Sequence, residues 1–282
     1  VMLKNKASII IPVYNQWDSL NKVLLGLSQQ NVQSFEVIII DDGSTDGIAL
    51  TDGYTLSLKY NLEIILYHQT NCGRAAARNM GITLSHNSII IFCDADRVPN
   101  PDFVKQHLQS HTDDNRVVVG NQFDLFYKNI DALFVPDIQW QVIQRFSRHP
   151  NYFSRICMIY NKDKCVAPNL QWMSLLIGNS SISKKRILEV GSFDEDFKAW
   201  GFEHFELGMR LQSHGIKFCL NMYASNYHIP HSRNDYFYAH MINKSADLLV
   251  QKHPIINVEV MKMIIMNNVN VLDYNESIFK RN

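Results

Sequence analysis

Asp94 and Asp96 are separated by one alanine in the stretch from Ile89 to Pro99, IIIFCDADRVP. Alternate residues of an extended chain point to the same side, so both carboxylates can face one site. Two hard oxygen donors this close repel unless a cation sits between them. A divalent ion that also holds phosphate oxygens is the natural occupant; the same pair would equally serve as a helix cap and a solvated acid. Asp41 and Asp42 open a second acidic cluster, DDGSTDG, in which Gly43 and Gly47 allow a tight turn. Arg74 and Arg78 stand one helical turn apart in GRAAARNMGI. They could bind phosphate oxygens bidentately, or form the solvated face of a small-residue helix. In WGFEHFELGMRL, Glu206 has Arg210 at i+4 as an ion-pair partner, whereas Glu203 has none on its own helix. A carboxylate in the first turn of a helix stays ionised, which suits Glu203 to general-base work. His228 and His231, in NYHIPHSRND, could complete the coordination of an ion held by Asp96, or lie in a surface loop.

The elements that must position these groups alternate along the chain. Ala7 to Val13 reads as a buried strand with Pro12 near its end, followed by Tyr14 and Asn15 in a turn. Leu20, Val23, Leu24 and Leu27 then recur at helical spacing. Phe35 to Ile40, Leu62 to Tyr67 and Ile89 to Cys93 are further buried strands, which predicts parallel βαβ units with acidic groups at the carboxyl ends of the strands, where open α/β sheets bind ligands. A helix over Asp102 to Ser110 and a strand over Arg116 to Gly120 follow. Residues 121–172 are rich in aromatics and lack clean periodicity, which predicts an insertion with some helix that forms an acceptor wall or packs as core. Trp172 to Ile182 reads as a strand with Gly178 allowing close approach, Lys184 to Val190 as a helix, and Ile216 to Leu220 as another strand. Asp235 to Gln251 reads as a helix. The methionine-rich Asn257 to Asn268 would pack on the domain, form a homodimer contact or touch a membrane surface peripherally; it lacks a basic face.

A chain of 282 residues suits one large α/β domain or a domain with an appendage. Lys+Arg and Asp+Glu both number 27, so no net charge favours nucleic acid as a partner. The five cysteines, Cys72, Cys93, Cys157, Cys165 and Cys219, are scattered and form no zinc-like pair. Together with an opening apolar run too short for a signal peptide and no stretch of transmembrane length, they predict a reduced, cytoplasmic protein. Neither GxGxxG after the first strand nor GxxxxGK[ST] occurs, which argues against a dehydrogenase and a P-loop enzyme.

Six segments in order, SIIIPVYN, FEVIIIDDGSTDG, GRAAARNMGI, IIIFCDADRVP, GNSSISKKRILEVGSFDEDF and WGFEHFELGMRL, resemble the family 2 glycosyltransferases of GT-A fold, especially the chondroitin-polymerase and polypeptide galactosaminyltransferase-like branch. The resemblance spans about residues 7–235. It implies an α/β fold with a mostly parallel central sheet flanked by helices: a nucleotide-binding half (1–120), a variable acceptor-side insertion (121–172), an acceptor and catalytic half (173–235), and a C-terminal helical extension (236–282). It implies an inverting, single-displacement transfer of an N-acetylhexosamine or hexose from a UDP-sugar to the hydroxyl of a carbohydrate or other acceptor, with Mn2+ or Mg2+. Pro12, Tyr14, Asn15 and Asp42 would surround the uridine, and Arg74 or Arg78 would hold nucleotide or diphosphate. Asp94 and Ala95 would meet the nucleotide, Asp96 and His228 the metal, and Gly178 and Trp200 the sugars. Glu203 would be the base. Two departures matter: the family's Glu-Asp pair is Glu203-His204 here, leaving His204 or Glu206 as alternative bases, and the common acid after Asp-x-Asp is Arg97. A sugar-1-phosphate nucleotidyltransferase is the competing enzyme, although PVYNQWDS stands where such enzymes carry a glycine- and arginine-rich loop; a catalytically inactive nucleotide-sugar-binding module is the non-enzymatic alternative.

Overall fold

A computed structural model describes residues 5–160, 170–231, 235–254 and 256. The amino-terminal half comprises β1 (Ala7–Val13), α1 (Trp17–Ser28), β2 (Phe35–Asp41), α2 (Gly53–Tyr60), β3 (Ile64–His68), α3 (Arg74–Leu84), β4 (Ile89–Cys93), β5 (Arg97–Pro99) and α4 (Phe103–Ser110). The rest comprises β6 (Arg116–Leu125), α5 (Trp140–Arg145), β7 (Ser147–Arg148), α6 (Asn151–Cys157), β8 (Asn179–Ser183), α7 (Lys184–Glu189), α8 (Glu203–Ser213), β9 (Lys217–His228) and α9 (Asp235–Lys252).

The strands form one sheet in the order β3-β2-β1-β4-β8-β6-β9-β5, with β7 beside β6. β3, β2, β1 and β4 are parallel, as the unbroken apolar runs require of strands covered on both faces. Ile9, Ile11 and Val13 of β1 join Leu20, Val23, Leu24 and Leu27 of α1 in one core cluster, while Ile10 joins Ala75 and Ile82 of α3 in another on the opposite face. Each such fully buried aliphatic side chain contributes ~1.5–3 kcal/mol of burial free energy.

The sheet is mostly parallel, as expected; beyond β4 the parallel run is broken by β8, which is antiparallel to both β4 and β6. The predicted strand from Trp172 is also shorter: Gln171–Ser174 is a 3-10 turn and only Asn179–Ser183 is extended. Two strands are longer than their apolar segments. β6 continues through Leu125 and β9 through His228, paired in parallel with a bulge at Gly120/Asn121. The histidine segment therefore begins on a strand rather than in a surface loop. α9 covers the helix expected over Asp235 to Gln251, and its Ala246 and Leu249 are buried in the same cluster as Phe205 and Leu211 of α8. No helix among the described residues is long and apolar enough to cross a membrane. The segment from Asn257 to Asn268 lies outside the described residues.

Candidate active site

A cavity of about 490 Å³ opens at the carboxyl end of β4. Of the residues singled out by sequence, Arg74, Arg78, Asp94, Asp96, Gly178, Trp200, Glu203 and His228 line it, together with His204 and His231. Ala95 does not: its methyl group points away from the flanking aspartates into the core cluster beneath β4, so any contact with a nucleotide must come from its backbone.

Arg78 ties the two halves of the cavity together. Its Nη1 donates to Glu203 Oε1 at 2.9 Å and its Nη2 to Asp94 Oδ1 at 3.1 Å, although Glu203 follows 125 residues later in the chain. Of the two arginines expected near nucleotide or diphosphate, Arg78 is thus the one already engaged by carboxylates. A guanidinium only 2% exposed needs counter-charges, and both of its terminal nitrogens are committed to carboxylates. Arg74, one turn earlier on α3, also lines the cavity, its guanidinium 5.7 Å from the centre of the Trp200 ring.

Glu203 begins α8 after two residues of positive φ, Gly201 (+90°) and Phe202 (+68°). The left-handed conformation costs a bulky residue of the order of 1–3 kcal/mol, offset here by burial of the Phe202 ring against Phe205. Burial works to raise the Glu203 pKa, but His204 and the guanidiniums of Arg78 and Arg74 outweigh it and hold the carboxyl well below its usual range. Oε1 is bound to Arg78, while Oε2 is buried without a hydrogen-bond partner. His204 Nδ1 stands 3.8 Å from Oε2, an ion-pair distance too long for a hydrogen bond. Glu206 is not on the cavity. It accepts from Arg210 Nε at 2.8 Å and lies 3.3 Å from His253 Nε2, as its i,i+4 spacing foreshadowed.

The third group is Asp96, His228 and His231, whose ligand atoms lie within 4.8 Å of one another. Both histidines direct Nε2 at Asp96 Oδ2, at 3.6 Å and 3.5 Å. The β6–β9 register sets Asp124 opposite His228, and Asp124 Oδ1 is 3.2 Å from His228 Nδ1. A proton on Nδ1 shared with that carboxylate leaves Nε2 free as a ligand, the usual outer support of a metal-bound imidazole. Burial opposes ionisation of Asp96, yet the two histidines facing it hold its pKa well below the usual carboxylate value; burial likewise lowers the His228 pKa, but the neighbouring Asp124 and Asp96 raise it overall. One carboxylate and two imidazoles with a supporting acid fit a divalent ion of borderline character such as Mn2+ better than Mg2+, which favours oxygen ligands.

Pro12, Tyr14, Asn15 and Asp42 are absent from the cavity lining and sit at the adjoining carboxyl ends of β1 and β2. Asn15 is at φ +51°; its N–H donates to Ser44 Oγ and its Oδ1 accepts from Thr45 N, which joins the two turns. Asp42 accepts three hydrogen bonds, from Gln69 Nε2 at 2.7 Å, Cys72 N at 2.8 Å and Gly73 N at 2.9 Å. Its carboxylate thus anchors the loop that starts α3 and carries Arg74, with at most one further acceptor direction open to a base. Gln16, which sequence reasoning passed over, bridges this edge to the cavity by donating from Nε2 to Asp96 Oδ2 at 3.1 Å. Asp124 was also missed; alternation with Gln122 along an extended β6 was the signal that could have found it.

Residues 8–168 match the profile of glycosyl transferase family 2, and residues 148–232 that of the N-terminal domain of galactosyltransferase. A validoxylamine A glucosyltransferase of Streptomyces hygroscopicus subsp. jinggangensis is 29% identical over 259 residues, covering 88% of this chain and 61% of that protein. A chondroitin synthase of Escherichia coli is 28% identical over 263 residues, covering 88% of this chain but 38% of the relative. The chain therefore spans between about one fifth and two thirds of the length of the relatives it matches. Among solved structures, S. aureus TarS 1-349 in complex with UDP superposes with a TM-score of 0.59 at 16% identity, covering 96% of this chain and 72% of that one. A mannosyltransferase from Pyrobaculum calidifontis in complex with GDP-Man and Mn2+ gives 0.58 at 15% identity, covering 88% and 64%. At these identities the likeness shows a common fold.

Proposed function

The chain belongs to glycosyltransferase family 2, whose profile covers more than half of it, and from that premise we propose that it transfers a hexose or N-acetylhexosamine from a UDP-sugar to an acceptor hydroxyl, with inversion, in one displacement. The observation that carries this reading is the meeting, in one cavity, of a carboxylate and two imidazoles spaced as ion ligands with a buried carboxylate oxygen that has no hydrogen-bond partner.

The divisions of labour follow from the geometry. Asp96, His228 and His231 would hold the ion, which when bound would supply charge to stabilise the departing diphosphate. Arg74 makes no ion pair with a carboxylate among the described residues and is the guanidinium placed to meet phosphate. Gly178 is required by close packing, since a Cβ there would lie 2.5 Å from Asp94 Oδ2. Trp200 offers a ring to stack on a sugar. Asp42 and the Tyr14–Asn15 turn would receive the base at the edge joined to Asp96 by Gln16. Glu203 Oε2 would accept the acceptor's hydroxyl proton as that oxygen bonds to the anomeric carbon and the bond to the diphosphate breaks. Because Arg78 binds Oε1 and Asp94 together, it would orient the base relative to the donor.

The test is a panel of UDP-sugars incubated with Mn2+, with and without saccharide acceptors, following UDP release. Slow acceptor-independent release that accelerates with acceptor is expected. Turnover of a nucleoside triphosphate and sugar phosphate, with no release of UDP from any sugar nucleotide, would instead indicate nucleotidyl transfer.

A further inference from the structure

Arg97 lines the cavity, and the proposed reaction gives it no task. It follows Asp96 directly, is 8% exposed, and lies within the field of Asp94, Asp96 and Asp124. Its Nη2 donates to the Tyr152 hydroxyl at 2.8 Å, and that hydroxyl donates to Gln122 Oε1 at 2.9 Å. Its Nη1 is buried with no hydrogen-bond partner. Gly178 makes room for it: a Cβ there would stand 2.9 Å from Nε and 3.0 Å from Cδ. The pairing of β5 with β9 sets Arg97 directly opposite His228.

A permanent cation is thus fixed beside the ion ligands, where it cancels part of the negative charge of Asp94, Asp96 and Asp124. A divalent ion that enters alone meets a site whose attraction Arg97 weakens, and in a partly desolvated site salt screens that repulsion little. A nucleoside diphosphate changes the balance. Its oxygens bring negative charge that offsets ion and guanidinium together, and they are acceptors of the kind Nη1 lacks. We propose that Arg97 couples ion and nucleotide, keeping the ion site weak in the free protein so that cation and nucleoside diphosphate bind as one unit. This rests on the reading of the cavity as a nucleotide-sugar site.

Coupling of this kind is reciprocal: the factor by which UDP tightens Mn2+ is the factor by which Mn2+ tightens UDP. The experiment titrates the full chain with Mn2+, following the free ion by its paramagnetic resonance signal, with and without UDP. For the wild type, UDP should raise Mn2+ affinity by roughly thirtyfold or more, within the range of ordinary coupling. Arg97→Gln removes the charge while leaving an amide to meet Tyr152. It should bind Mn2+ alone about tenfold more tightly, or about 1.4 kcal/mol, with the gain from UDP reduced by a similar factor. Arg97→Lys keeps the charge and should keep the coupling.

Wild-type Mn2+ affinity that does not depend on UDP would overturn the proposal without any variant. So would folded Arg97→Gln protein that binds Mn2+ alone no better than wild type, or equal loss of coupling in the Lys and Gln variants. Failure of UDP to bind under any condition would refute the nucleotide-sugar reading, while the Mn2+-only comparison of Arg97→Gln with wild type would still report on Arg97.

Discussion

Replacing Glu203 with glutamine alters the cavity carboxylate that has a buried oxygen without a hydrogen-bond partner among the described residues. The amide oxygen can still accept from Arg78 Nη1, now at 2.9 Å, and Arg78 keeps Asp94 at 3.1 Å as a counter-charge. Loss of a fully uncompensated buried partner costs about 3–5 kcal/mol. With Asp94 in place the stability cost should fall to about 1–3 kcal/mol, the scale of one charged hydrogen bond. Catalysis should suffer more. An amide takes up no proton, so the contribution of a positioned base, roughly 10²- to 10⁴-fold, is lost, which is about 2.7–5.4 kcal/mol on the barrier. The assay is initial-rate UDP release at saturating donor and acceptor, with donor affinity measured separately by calorimetry. The expected pattern is kcat lowered at least a hundredfold with donor affinity within a few-fold of wild type. Glu203→Gln protein with kcat within threefold of wild type, or with its whole defect in donor affinity, would refute the role. The sign of the pH dependence provides an internal check. Because Glu203 is held well below the usual carboxylate range, it stays ionised as pH falls through that range. Arg78→Met removes one of the stabilising cations while burial persists, so the acid limb of kcat/KM should move to higher pH.

Three further outcomes follow from the same geometry. Asp96→Asn should abolish the part of UDP affinity that depends on Mn2+ and leave ion-free affinity unchanged by calorimetry, whereas retained Mn2+ dependence would remove Asp96 from the ion site. Gly178→Ala would force a Cβ to 2.5 Å from Asp94 Oδ2; it should cost about 1–3 kcal/mol in urea unfolding and at least tenfold in kcat/KM, and wild-type values would show that Asp94 can move freely. His107 and His111, buried against Ser181, have pKa values lowered by burial to about 4 and about 3. Their folded pKa values lie below the unfolded one, so stability present above about pH 6.5 should fall as pH drops through 4, with His107 alone accounting for about 2–3 kcal/mol by pH 4.5. Urea unfolding of wild type and His107→Gln over that interval measures it, and parallel curves would contradict the assignment.

The parts of the fold carried by apolar patterning were legible. β1, β2 and β4 are predominantly apolar and buried on both faces, the acids Asp41, Asp42, Asp94 and Asp96 lie at the ends of β2 and β4, and Glu203 opens a helix. What escaped reading depends on partners remote in sequence. Arg78 shows its charge but not that Glu203 would claim it. β9 continues through Asn221, Ser225 and Asn226 to His228 because backbone pairing with β6 and side-chain amides hold a polar strand, as where Asn226 Nδ2 donates to Gly178 O at 2.8 Å. Hydropathy sees only polar residues there and reads a loop. The segment before Gly178 fails in the opposite direction: Trp172 and Met173 are apolar enough for a strand, but the backbone turns in 3-10 form against α8, where a Cβ on Gly208 would meet Trp172 O at 2.7 Å.

The central claim is that the ion site, the nucleotide edge and Glu203 serve a single bound donor. Anomalous diffraction at the manganese edge from crystals grown with UDP and Mn2+ tests this most directly. The account predicts one strong peak between Asp96, His228 and His231, bonded to the diphosphate of a UDP whose base lies toward Asp42. A peak elsewhere, or a nucleotide bound away from this cavity, would contradict it.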